Sequence, residues 1–157
     1  MFHAAHKAIA TSLILTAGMI ASAQSRNIYS ATADAHADIA QAIRTAAREH
    51  KRVLLDFGGN WCGDCQVLSI YFHQAPNQSI LDKNYVLVDI DIGHMDKNVD
   101  LAQKYDVPLQ KGVPALAILD ARGHLLYSQK NGEFEAMRRM DSGSVTEFLN
   151  NWKASKD

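Results

Sequence analysis

The chain carries two cysteines in 157 residues, Cys62 and Cys65, with Gly63 and Asp64 between them. Cysteines at that spacing can open and close a disulfide, supply half of a metal site, attach haem or staple a loop. A staple across so short a loop removes little entropy from the unfolded chain and would do more by joining distant segments. A zinc site needs two further ligands; no third cysteine exists, and the seven histidines show no paired ligand spacing. Haem attachment needs a histidine directly after the second cysteine, and Gln66 stands there. Disulfide exchange is the strongest of these readings. It requires a thiolate, which the unpaired N–H groups and positive dipole end of a helix N-terminus stabilise. Cys65, one turn further on, would then attack a mixed disulfide formed on Cys62.

The elements around the pair fit that demand. Arg52-Val53-Leu54-Leu55-Asp56-Phe57 is an apolar run of strand length, stopped by the turn signal Gly58-Gly59-Asn60. A helix is predicted from the cysteines to about Ala75, where Pro76 disfavours continuation. Ile39 and Ile43, four apart, place an earlier helix over 34–52 with Asp34 as its cap. A short helix is expected near 78–83, strands over 85–92 and 113–119, and a helix over 97–105 between them. A fourth strand over 124–129 follows the turn at Asp120–Gly123, residues 130–141 are polar and hard to place, and Ser144 to Glu147 reads as the capping box of a last helix. Strands separated by helices imply parallel pairing, with an antiparallel hairpin at the edge. The expected fold class is therefore α/β, a mixed sheet of four to five strands with helices on both faces.

Composition narrows the remaining possibilities. A formal charge of −1 and 47% hydrophobic residues describe a globular chain without the basic surface that nucleic acid would require. The first 23 residues read as a signal peptide: a weakly basic start at His3, His6 and Lys7, an apolar run from Ala8 to Ile20, and the small-x-small pattern Ala21-Ser22-Ala23. Cleavage is expected before Gln24, leaving no stable membrane insertion. An uncleaved anchor is the competing reading, but the run falls short of the roughly 20 apolar residues of a spanning helix, and Thr11, Ser12 and Thr16 dilute it. Loss of Lys7 alone would take the charge from −1 to −2. Residues 24–33, short and rich in Ala and Ser, are expected as a flexible lead-in to a domain over 34–157.

The segment from Leu55 to Cys65, with Trp61-Cys62-Gly63-Asp64-Cys65 at its end, resembles the active-site strand, turn and helix start of the thioredoxin superfamily. Lys111-Gly112-Val113-Pro114 and the strand after it resemble that family's cis-proline segment. The resemblance runs from about Ala35 through the mature chain and implies a thioredoxin fold. It implies that Cys62 is the exposed nucleophile and Cys65 the buried resolving thiol. It implies that Asp56 is a buried acid relaying a proton to Cys65, its pKa raised by desolvation. Pro114 would be a cis-proline facing the disulfide, Val113 would offer backbone groups to an extended peptide, and Trp61, Gly63 and Asp64 would complete the substrate surface, with Trp61 shielding the cysteines.

Several positions depart from the common family pattern. Asp64 stands where proline is usual, and its charge should oppose thiolate formation, which leans the pair toward a reducing or intermediate poise. Gly58 and Gly59 replace bulkier residues and are expected to open the site. The lysine that often pairs with the buried acid is missing, with Leu87 nearest its place. Residues 108–110 and 130–141 lengthen two loops. The resulting expectation is a periplasmic or otherwise exported thiol–disulfide oxidoreductase with no cofactor or metal, acting on exported proteins that carry disulfides and reloaded by a membrane-embedded thiol reductant. A redox-inactive adaptor or chaperone of the same fold, and a thiol pair that delivers copper or zinc, are the competing readings. His94 with Asp91 and Asp96 reads as a solvated turn before it reads as a metal site.

Overall fold

Asp34 starts the first helix by accepting the Ala37 N–H in its carboxylate, which satisfies one of the donors left free at a helix start. In the computed structural model, which describes residues 26–154, helix α1 spans Ala35–Glu49 and ends with His50 in the left-handed region. Strand β1 (Arg52–Gly58) follows, then α2 (Gly63–Phe72), α3 (Asn77–Asn84) and β2 (Tyr85–Asp91). Helix α4 (Val99–Lys104), strands β3 (Ala115–Leu119) and β4 (Leu125–Ser128), and α5 (Ser142–Trp152) complete the order. The expected signal segment lies outside the described residues. Among the described residues, no helix is long and apolar enough to cross a membrane.

The sheet is four-stranded in the order β2-β1-β3-β4. β1 and β2 are parallel, with Arg52 aligned on Tyr85 and Asp56 on Asp89. β3 runs antiparallel to β1, although a helix separates it from β2. The expectation that helix-separated strands pair in parallel therefore fails here. The chain leaves β2 at the end where β1 also finishes, passes over β1 through α4, and enters β3 on the far side of β1 from that same end, so β3 runs back against β1. This return pairs Ala115 with Phe57 and so carries Val113 and Pro114 to the end of β1 from which the cysteines emerge.

Alternation along β1 divides the core into two layers. Val53, Leu55 and Phe57 face α1 and α4, packing with Ile39, Ala46 and Leu101. Leu54 faces the other layer with Leu68, Phe72, Leu116, Phe148 and Leu149; by the same alternation Asp56 looks toward α2. Phe72 closes α2 against that layer and is fully buried. Phe72→Ala leaves a cavity there and is expected to cost about 3–5 kcal/mol, read from the urea midpoint at constant m-value.

Three local expectations are revised. The last helix begins at Ser142 and is capped by Asp141, whose carboxylate accepts the Ser144 N–H; Ser144 thus lies inside the first turn and the capping box at Ser144–Glu147 does not form. Residues 130–141, polar on average, bury Phe134 and Met137 in the second layer, and Phe134 meets Phe148 edge-on at 5.0 Å. The flexible lead-in expected over 24–33 does not describe residues 26–33, since Tyr29 is wholly buried.

Candidate functional site

Cys62 is itself the N-cap of α2: its backbone is extended, and its Sγ accepts the N–H of Cys65 at 3.1 Å. The helix therefore starts on the sulfur, as the spacing requires, with its free N–H groups turned toward it. Cys62 and Cys65 are joined as a disulfide. Cys65 is inaccessible, whereas Cys62 retains 6% of its surface. Attack from solvent can reach only the first sulfur.

The Val113–Pro114 peptide is cis, as the resemblance implied, and the Val113 carbonyl oxygen lies 3.4 Å from Cys62 Sγ. Pro114 is buried, and its carbonyl accepts from Gln129 Nε2, while Gln129 Oε1 accepts the Leu116 N–H. Gln129 thus ties the start of β3 in place beside the sulfur.

Trp61, expected beside the cysteines, is held from the side of β2. It is half exposed, donates its indole N–H to the Gly93 carbonyl at 2.6 Å and stacks on His94. These contacts fix the ring against the turn at residues 93–94. Asp91 accepts from the Gly93 N–H and from Lys97, and Asp96 accepts the His94 N–H. That is an ordinary turn, and among the described residues no cluster of His, Cys, Asp or Glu could hold a metal ion.

The glycines do not open the site. A methyl group on Gly58 would lie 2.4 Å from the Tyr29 hydroxyl oxygen, and one on Gly59 would lie 2.5 Å from Trp61 Nε1. Each glycine makes room for an aromatic ring that fills the space. Gly63 sits beneath Arg138 at ordinary van der Waals distance.

Asp64 is not a bare charge beside the thiols. Its carboxylate accepts the Arg138 backbone N–H at 2.8 Å, Nε at 3.1 Å and Nη2 at 3.0 Å. Burial works against ionisation, but the Arg138 hydrogen bonds and charge, with Arg139 behind, hold the carboxyl below its usual range. The 130–141 segment thus offsets the charge expected to oppose the Cys62 thiolate. Because Arg138 is mostly exposed, its removal should have a modest effect: Arg138→Ala is expected to slow alkylation of reduced Cys62 at neutral pH by about two- to fivefold, the size of an exposed ion pair. Iodoacetamide kinetics on the reduced protein measure this.

Asp56 is 1% exposed. Burial first, and the neighbouring charge of Asp89 second, push its carboxyl well above the usual range, against the pull of a hydrogen bond from Tyr29. Asp89 is pushed up to about 6, chiefly by burial and against the pull of His73. Register places Asp89, not Leu87, beside Asp56, so where a lysine was sought the chain has a second acid. Sequence reasoning missed Tyr29, Asp89 and Arg138. The alternation Asp89-Ile90-Asp91 in a strand, and an isolated tyrosine in a polar lead-in, were the available signals.

The thioredoxin-like family matches residues 34–121. Mouse thioredoxin is 31% identical over 106 residues, which cover 66% of this chain and 85% of that protein. The crystal structure of a disulphide isomerase from Xylella fastidiosa superposes with a TM-score of 0.75 at 34% identity, covering 79% of this chain and 95% of the other. Rice protein disulfide isomerase-like 2-2 is 35% identical over 68 residues, 43% of this chain and 17% of its own length; the chain spans about a sixth of that relative. The chain belongs to the thioredoxin-like family, and its fold is the α/β thioredoxin fold.

Proposed function

We propose that this protein is a thiol–disulfide oxidoreductase that works in the reducing direction on exported proteins, after removal of residues 1–23, and is itself reduced by a membrane-embedded thiol donor. The observation that carries the reading is the disulfide at the tip of α2, where Cys62 keeps a small accessible surface, Cys65 keeps none, and Tyr29 joins the volume beside Cys65 to the buried acid Asp56. The names of the relatives, thioredoxin and disulfide isomerase, support the same reaction class.

In the reduced protein the helix tip stabilises the Cys62 thiolate, which attacks a substrate disulfide; one substrate sulfur leaves with the electron pair and takes a proton from solvent. The extended substrate chain can pair with the backbone at Val113, whose carbonyl lies against the sulfur. Cys65 then passes its proton to Asp56 and attacks Cys62 Sγ, forming the intramolecular disulfide and releasing the second substrate thiolate. Recharging runs the same steps backwards, and the proton on Asp56 then goes to Cys65 as the bond opens. The reducing direction is favoured because Arg138 is committed to Asp64, and the donor found on Cys62 Sγ among the described residues is the helix N–H of Cys65. A thiol stabilised only this far makes a weak oxidant.

Equilibration with glutathione buffers tests the direction. A potential near that of thioredoxin, about −270 mV, is expected; a value near −120 mV, where strong oxidants lie, overturns it. Secretion of the processed chain, with a mature N-terminus at Gln24 found by mass spectrometry, tests export.

A further inference from the structure

The amino-terminal segment is bound to the N-terminal part of the cysteine helix and to the turn before it. Arg26 donates its N–H to Gln66 Oε1 and accepts from Gln66 Nε2, both at 2.9 Å. Asn60 Oδ1 accepts the N–H groups of Ile28 and Tyr29, while its Nδ2 donates to the Tyr29 carbonyl at 2.7 Å. These clamps seat the Tyr29 ring in the space left by Gly58, where a methyl group would also meet Cys65 Sγ at 3.0 Å. Phenol, resolving sulfur and the Gly58 backbone therefore share one small volume. The Tyr29 hydroxyl donates to Asp56 Oδ2 at 2.9 Å, and Asp56 Oδ1 is buried without a partner among the described residues.

Every element around Asp56 contributes to its state. The amino-terminal segment, residues 26–33, acts as a strap that brings Tyr29; α2 brings Cys65 to the volume beside it, β2 brings Asp89 in register, and β3 brings apolar Leu116. His73, capping α2, acts on Asp89. Resting on the reading of Asp56 as the proton carrier, we propose that Tyr29 and Asp89 are positioning residues for thiol exchange: Tyr29 occupies Oδ2 so that Oδ1 exchanges the proton with Cys65, and Asp89 opposes ionisation of that carboxyl. When a reductant thiolate attacks Cys62 Sγ, the Cys62–Cys65 bond breaks, Cys65 leaves with the electron pair, and the Oδ1 proton moves to it. The reverse step returns that proton to Oδ1 as Cys65 attacks. The strap thus belongs to the machinery and is not packing alone.

The two residues act on Asp56 in opposite senses, and that makes the inference testable. In the purified oxidised protein, the Asp56 carboxyl is titrated by 13C NMR, and the pH profile of insulin reduction is recorded alongside, for wild type, Tyr29→Phe, Asp89→Asn and Asp56→Asn. Tyr29→Phe keeps the ring and removes one hydrogen bond to an ionisable group; it is expected to move the Asp56 titration and the rate limb up by about one pH unit. Asp89→Asn is expected to move both down. Displacement in the same direction, or none, in both variants overturns the inference, since a structural role alone would not separate them. Asp89 lies on an edge strand, so if Tyr29→Phe folds poorly, an unmoved or raised Asp56 titration in Asp89→Asn alone overturns the inference. An unchanged rate profile in Asp56→Asn overturns the proton-carrier reading beneath it, and the carboxyl titration identifies that case independently of activity.

Discussion

Cys62→Ser is expected to abolish insulin-disulfide reduction, lowering the rate by about three orders of magnitude or more, as removal of a covalent nucleophile does. Cys65→Ser should behave differently. It leaves the accessible sulfur in place on the α2 cap and removes only the group that resolves the mixed disulfide, so covalent protein–substrate species accumulate and appear on non-reducing gels. The asymmetry follows from burial: Cys62 keeps a small accessible surface and Cys65 keeps none. Equal rates for wild type and Cys62→Ser, or none from either, would return the protein to the adaptor reading.

The second large effect concerns stability against pH. Asp89 has a folded-state pKa of about 6 and Asp56 one raised well above the ordinary carboxylate, while in the unfolded chain both ionise near pH 4. Between those values the native state binds more protons than the unfolded state, so stability falls as pH rises. The decline begins near the unfolded pKa and continues through pH 6 and beyond, because Asp56 titrates late. For Asp89 alone the loss is on the order of 2–3 kcal/mol, and Asp56 adds to it. Urea unfolding across pH about 4 to 8 measures the slope. Asp56→Asn with Asp89→Asn is expected to flatten it; a flat wild-type profile would show that neither acid is strained in the folded protein.

The sequence was legible where local chemistry and period agree. The helix that begins at the cysteines, the buried run of β1 and the cap at Asp34 follow from neighbours in the chain, and each is found. What escaped depends on contacts between distant residues. The antiparallel placement of β3 is decided by which end of the sheet the α4 connection returns to, and no period in 97–119 encodes that. Asp89 became the partner of Asp56 through strand register, and since a slip of two residues keeps every side chain on its face, alternation does not tell position 87 from position 89. Arg138 meets Asp64 across 74 residues, and Tyr29 meets Asp56 across 27. Averaging hid both, since a polar composition over 24–33 or 130–141 gives no sign that one side chain in each is buried or bonded at the site.

The reciprocal bonds that tie Arg26 to Gln66 and Tyr29 to Asn60, on either side of the disulfide in the chain, have a practical corollary. Any affinity handle appended ahead of Arg26 would dangle beside the reactive sulfur and compete with incoming polypeptide for its approach. Handles for purification or for fluorescent tracking therefore belong beyond α5, at the opposite terminus.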